Sequence, residues 1–311
     1  MKYSNLRPPL SRTELLDLRE RTEAVKNSAA AGAAFDVGNL LRSFAERERP
    51  RFYGCVDPEQ SGKLRAVAEA APAAAAACLK LALIDQLAAL AEREGVAGYP
   101  GPIQEQFEIH LALMRRSLES GPESYFSLSN DLYLKDLAIA GERMAPAGAQ
   151  LLQTFAGIPR SLLWRGGAGQ ALAFTAFLTK LRALAPLFEM HSDARRMAEF
   201  TPAGWQRFYV RAAELLRARP SIRGLVGASW WHDPAVGRLS KHMAFLNEMP
   251  MRHGARAFRY QADDYARELA LLRSPERQRA YDSGEYLPTV YLLIWTREDV
   301  LRWAEAEDAA R

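Results

Sequence analysis

The stretch Ile222–Trp231, IRGLVGASWW, decides how the second half of the chain is read. It is a short apolar run closed by two tryptophans, bounded upstream by Pro220 and downstream by His232-Asp233-Pro234, and this predicts a buried strand. Downstream, the spacing predicts a helix over Leu239–Met249, a strand over Ala255–Tyr260 and a helix near Asp263–Leu272. A further helix over Pro275–Asp282 has Ser274 as its cap and Gly284 as its stop. Thr289–Trp295, TVYLLIW, is the clearest strand, and a last helix runs over Arg297–Ala306 from Thr296. Upstream, Thr201 caps a helix that opens with Pro202 and runs to Arg219. Before it come an extended stretch at Pro159–Trp164, an apolar helix at Ala171–Leu184 and a strand at Leu187–His191.

The first half has a different texture. Ser11 with Glu14 forms a capping box for a helix carrying Leu15, Leu18 and Val25. A short helix is expected over Phe35–Phe44, a break at Arg49–Gly54, and a helical pattern over Lys63–Arg93 interrupted at Pro72. After the punctuation GVAGYPGP at Gly95–Pro102, Ile103, Phe107, His110 and Met114 keep helical spacing. Leu132–Ala145 is expected to be helical, with Asn130-Asp131 as its cap and a turn at Pro146–Gln150. Alternation of strands and helices is confined to the second half. The expected class is therefore α+β, a helical N-terminal half followed by an α/β half with a central mixed sheet flanked by helices. The regions are 1–120, helical; 121–156, a helical connector; and 157–311, the α/β domain, with the boundary placed between Gly121 and Gly157.

The 311 residues are 49% hydrophobic and 25% charged, which excludes wholesale disorder. Arginine far outnumbers lysine and alanine abounds, a bias expected of a GC-rich bacterial genome. A net charge of +4 and a pI near 9.1 permit an anionic ligand, but there is no dense basic run or zinc-finger spacing to point to nucleic acid. Cys55 and Cys78 form no CxxC pair, so neither a disulfide framework nor a thiolate metal cage is expected. The opening MKYSNLRPPLSRTELLDL lacks a signal-peptide core. The apolar stretch Ala73–Ile84 contains Lys80 and is shorter than the ~20 residues of a membrane span. A cytoplasmic protein with no membrane span is the expectation, its helical half serving as a lid, a homodimer surface or a separate domain.

From Ser221 to Trp295 the order strand, turn, helix, strand, helix, strand resembles the C-terminal part of the GNAT acyltransferase superfamily. In that superfamily a central strand splays from its neighbour, and a turn with a helix N-terminus holds the pyrophosphate of acyl-CoA. The resemblance covers about a quarter of the chain and rests on element order. It implies an acyl-CoA-dependent transfer to an amine or hydroxyl of a small-molecule or peptide acceptor. Ile222–Trp231 would be the central strand, and Val236, Gly237, Arg238, Ser240 and Lys241 the phosphate turn, in which Gly237 is the single glycine. The attack on a thioester needs a base and an acid for the leaving thiolate. Glu189, His191 and Asp193 at one strand end and His232 at another supply bases, and Tyr281 or Tyr286 supplies the acid.

Two other readings stand beside it. His191-Ser192-Asp193 with His242 or His253 resembles the ligand set of iron(II) 2-oxoglutarate oxygenases, in which Arg256 would pair with a co-substrate carboxylate. Those enzymes place their ligands on a β jelly roll, whereas here a helix over Pro202–Arg219 separates HxD from everything downstream. The third reading is a non-enzymatic binding protein whose helical half docks a partner. Glu105, Glu108 and His110 do not share the i, i+3 spacing of di-iron helices. Ser229 is not in a GxSxG elbow, and neither GxGxxG nor a P-loop occurs.

Overall fold

A computed structural model describes residues 7–45, 53–93, 96–182 and 184–309. The chain divides into two compact units, Met1–Ala147 and Gly148–Arg311.

The first unit is helical: α1 Arg12–Asn27, α2 Ala30–Ala33, α3 Val37–Ala45, α4 Pro58–Ala70, α5 Pro72–Glu92, α6 Gly101–Ser120 and α7 Asp131–Ala140. Ser11 and Glu14 make the reciprocal capping box that opens α1. Pro72 does not kink a helix but begins one. Ala71 leaves helical geometry at φ −155°, ψ 83°, and the proline occupies the first turn of α5, where its missing N–H costs nothing. Cys78, Ala82, Leu83 and Ile84 of α5 are fully buried, so this helix is the axis around which α1, α3, α4 and α7 pack. At 21 residues, α5 has the length and apolarity to cross a membrane, more than the shorter stretch Ala73–Ile84 suggests, and 61% of its most apolar window is buried. The break expected at Arg49–Gly54 lies mostly outside the described residues.

The helix expected over Leu132–Ala145 ends early. Asn130 caps it through Leu132 and Tyr133, but Gly141 terminates it, Glu142 takes φ 56°, and Met144–Pro146 forms strand β1. The turn expected at Pro146–Gln150 is present as a bend at Gly148-Ala149, and after it a second strand, β2 Gln150–Ala156, stands where a helical connector was expected. Beyond it, Pro159–Trp164 is not extended but leads into the short helix α8 Leu162–Arg165.

The remaining elements are α9 Gly167–Leu181, β3 Leu187–Ser192, α10 Pro202–Ala218, β4 Gly224–Ser229, α11 Pro234–Leu239, α12 Phe245–Arg252, β5 Arg256–Gln261, α13 Asp264–Leu271, α14 Pro275–Asp282, β6 Val290–Thr296 and α15 Arg297–Ala309. The expected single helix over Leu239–Met249 is split, because α11 starts earlier at Pro234 and a 3₁₀ turn over Lys241–Met243 separates it from α12. The strands form one mixed sheet in the order β1-β2-β3-β4-β6-β5. From β2 onward every pairing is antiparallel except that of β3 with β4, which is parallel.

Both faces of the sheet are covered. On one, Leu162 of α8 and Phe174, Phe177 and Leu181 of α9 pack on Leu187, Val226, Phe258, Leu292 and Ile294. On the other, aromatic residues dominate: Tyr209 of α10 meets Trp295 of β6 at 5.1 Å between ring centroids, and Trp295 meets Trp303 of α15 at 5.6 Å. All 6 tryptophans lie C-terminal to the division between the units.

Gly224 is where the central strand begins against β6. Its φ is +155°, and a Cβ there would lie 2.2 Å from the Trp295 carbonyl oxygen, a backbone atom that cannot swing away. Gly224→Ala is expected to destabilise the second unit by roughly 2–4 kcal/mol, read from urea denaturation followed by tryptophan fluorescence. A loss below roughly 0.5 kcal/mol would show that the strand start moves freely.

Candidate site at the parallel strand pair

Strands β3 and β4 run side by side for only two register pairs, Phe188 with Leu225 and Glu189 with Val226. Beyond them each strand follows its antiparallel neighbour. His191 and Ser192 pair with Leu151 and Gln150 of β2, while Gly227, Ala228 and Ser229 pair with Leu293, Leu292 and Tyr291 of β6. The shared register ends there, although the next two residues, Met190 and Gly227, still stand close together. The chain leaves β3 for α10 and β4 for α11, and the carboxyl ends of parallel strands are where α/β sheets hold ligands.

Glu189 and His191 are two residues apart on β3 and so share a face of the sheet. Gln153 of β2 is the register partner of Glu189. The His191 Nε2 atom lies 3.1 Å from the Gln153 Oε1 and 3.8 Å from the Glu189 Oε2. Gln153 is 4% exposed, and 29% of the Glu189 side chain meets solvent. Val226, which stands opposite Glu189 in register, belongs to the apolar cluster under α9. Burial beside that cluster raises the Glu189 carboxyl from its ordinary 4.5 to about 7.

On the other face, Met190 and Gly227 approach each other closely. A Cβ on Gly227 would lie 2.6 Å from the Met190 methyl and 3.3 Å from the His232 Nε2. His232 follows β4 in a 3₁₀ turn, Trp230–His232, and is 3% exposed. Its Nδ1 lies 2.7 Å from the Asn247 Oδ1, and the same amide donates to the Trp231 carbonyl at 2.6 Å. With the Asn247 nitrogen engaged there, its oxygen accepts, so Nδ1 carries the proton and Nε2 is left as a lone-pair acceptor. Burial lowers the His232 pKa to about 4, the Asn247 contact opposing the shift.

The other expected site residues are elsewhere or otherwise engaged. The Asp193 carboxylate is fully buried, caps the 3₁₀ turn Ala194–Glu199 through the Arg195 N–H, and meets the Arg195 guanidinium at 2.8 and 3.0 Å. The residues expected to form a phosphate turn form helix α11 instead. Its start is closed by the Asp233 carboxylate, which accepts from the Ala235 N–H at 2.8 Å. That carboxylate is itself raised by burial, against the pull of the Ala235 hydrogen bond, Arg238 and Arg259. Val236 is buried, Ser240 is buried and accepts from the Arg277 guanidinium at 2.6 Å, Gly237 lies inside the helix, and only Arg238 and Lys241 are exposed. Tyr281 is half-buried on α14. Tyr286 is buried with Val236 and Ala280, and its hydroxyl finds no hydrogen-bond partner among the described residues. Burial also raises its pKa. His242 and His253 are exposed, and no group of three metal-ligating side chains is formed among the described residues.

The structure adds Gln153, Gly227 and Asn247. Gln153 escaped because QLLQTFA lacks strict alternation, and the signal that marks it is a glutamine inside an apolar run. No family model, curated protein or solved structure matches the chain.

The raised Glu189 carboxyl has a stability consequence. Its folded pKa exceeds its unfolded value, so between pH 4.5 and about 7 the folded state holds a proton that the unfolded chain has released, and stability falls as pH rises through that window. His232 acts oppositely: its folded pKa lies below 6.5, so stability falls as pH drops from 6.5 to about 4. Glu189→Gln is expected to gain stability relative to wild type as pH rises from 4.5 to 7, measured as urea midpoints across that range. A constant difference between the two proteins would show that the carboxyl titrates normally.

Proposed function

We propose that the second unit is an acyl-CoA-dependent acyltransferase acting on an amine or hydroxyl acceptor, with Glu189 as the proton acceptor. The observation that carries the reading is a carboxyl of pKa about 7 at Glu189, in the last register pair that the parallel strands β3 and β4 share. The GNAT-like reading calls for a splayed strand pair, and a general base works best with a pKa near the working pH. The mixed sheet, with one parallel pair between antiparallel neighbours, is consistent with it.

In the proposed reaction the acceptor nucleophile attacks the thioester carbonyl. Glu189 takes its proton, the C–S bond breaks, and the thiolate leaves with a proton from the site or from solvent. His191, held through Nε2 at 3.1 Å from the Gln153 Oε1, stands 3.8 Å from the carboxylate. The His232 Nε2 lone pair lies beside Gly227 on the other face of the sheet and can accept a hydrogen bond from an acceptor group.

The diphosphate is better placed at the start of α10 than at α11. The start of α11 already holds the Asp233 carboxylate, a like charge for phosphate. The start of α10 is capped by the neutral Thr201 hydroxyl, which accepts from the Gly204 N–H at 3.0 Å.

Native mass spectrometry of the full chain with acetyl-CoA and longer acyl-CoAs is expected to show a 1:1 adduct. Glu189→Gln should keep that adduct while slowing thiol release, across a panel of amine and hydroxyl acceptors, by roughly 10²-fold or more. The wild-type kcat/KM should have an acidic limb near pH 7, matching the carboxyl. Absence of any adduct would remove the acyl-CoA reading, and unchanged thiol release in the variant would remove Glu189 from the chemistry.

A further inference from the structure

We infer that the helical unit carries a separate binding site for a small amphipathic organic anion, an aliphatic carboxylate, with Lys80 as its counter-ion. The site is a cavity of about 540 Å³, within the roughly 300–1,000 Å³ of small-ligand sites. Its floor is the start of α5, where the alanine run contributes Ala73, Ala76 and Ala77, side chains too short to fill the space between α1 and Phe126. Leu18 and Val25 of α1 supply the apolar wall.

Lys80 projects from α5 into this cavity, half-buried, with its Nζ 5.7 Å from the Phe126 ring centroid. No carboxylate lies within salt-bridge distance of it among the described residues. The other charged groups at the cavity are Arg21, Glu119 and Glu123. Arg21 is tied to Asp17 at 2.6 Å and repels Lys80, and Glu119 is held by Arg115 at 2.9 Å. Glu123 is exposed. Burial, with the Arg21 repulsion, lowers the Lys80 pKa, which marks a cation whose charge is not compensated from within the protein.

The cavity continues on the far side of Phe126 into a second one of about 550 Å³, with which it shares Ala76, Glu123 and Phe126. Leu64, Ala68, Pro72, Ala75 and Leu79 make that continuation apolar. A head group at Lys80 and an aliphatic tail lying over the alanines and past the Phe126 ring satisfy both halves of the lining. The carboxylate gains a charge-assisted hydrogen bond in a partly desolvated place, and the tail is removed from water.

Isothermal titration calorimetry of the full chain with sodium octanoate, and with 1-octanol as the neutral molecule of equal length, tests this. Octanoate is expected to bind 1:1 and about tenfold or more tightly than octanol, the scale of a hydrogen bond to a charged group. Lys80→Met, which keeps the volume and removes the charge, should bring the two affinities within about twofold while leaving the far-UV circular dichroism unchanged. Lys80→Arg should restore the preference for octanoate. No saturable octanoate binding, equal affinities in the wild type, or a preference that survives Lys80→Met would each overturn the inference.

Discussion

Strands β3 and β4 share only two register pairs, Phe188 with Leu225 and Glu189 with Val226. Each has an antiparallel partner on its outer side, β2 for one and β6 for the other, and those ladders continue past the last shared pair. The backbone groups that face inward beyond Glu189 and Val226 are thus not used in the ladder between the two strands. Everything of chemical interest in the second unit follows from where this division falls. Gly227 matters for the same reason, since any side chain there would meet the Met190 methyl and crowd the His232 ring.

The charge states of Glu189 and His232 are set by burial rather than by ion pairing. Desolvation is the leading cause of the shift at both Glu189 and His232, and it favours the neutral form of each. The carboxyl still carries its proton in mildly acidic solution and gives it up near neutrality, whereas the imidazole stays neutral throughout that interval. The region a few residues further along β4 is organised differently. There Asp233, Arg238, Arg259 and Arg277 form a charged surround for Tyr286 and Tyr291, and the α11 helix start is already neutralised.

Much of the fold is legible in the residues. Thr201-Pro202, Ser274-Pro275 and Ser11 with Glu14 announce helix starts because local side-chain hydrogen bonds and fixed φ angles act before any tertiary contact exists. TVYLLIW and the centre of IRGLVGASWW, Gly224–Ser229, are strands for the equally local reason that their length and apolarity suit a covered sheet, whereas Trp230 and Trp231 turn into a 3₁₀ helix. Met144–Pro146 and Gln150–Ala156 are not legible in this way. The first is three residues long, and the second lacks alternation because both of its faces are buried and a bulge between Gln153 and Ala156 shifts its register. The site was half legible. Glu189 and His191 stand out as polar residues at a strand end, but Gln153 and Asn247 act across the sheet and the turn, and Asp233 looks like a plain turn residue until its carboxylate is seen on Ala235.

The uneven placement of the tryptophans, all of them beyond Ala147, sets what optical spectroscopy can see. Indole emission reports on the sheet and its aromatic face and carries nothing from the helices built around α5. A transition that looks like a single step in that channel is therefore a statement about half of the molecule. Whether the two halves lose their structure together is a matter for far-UV ellipticity, to which the helical half contributes strongly, set against the emission of the other.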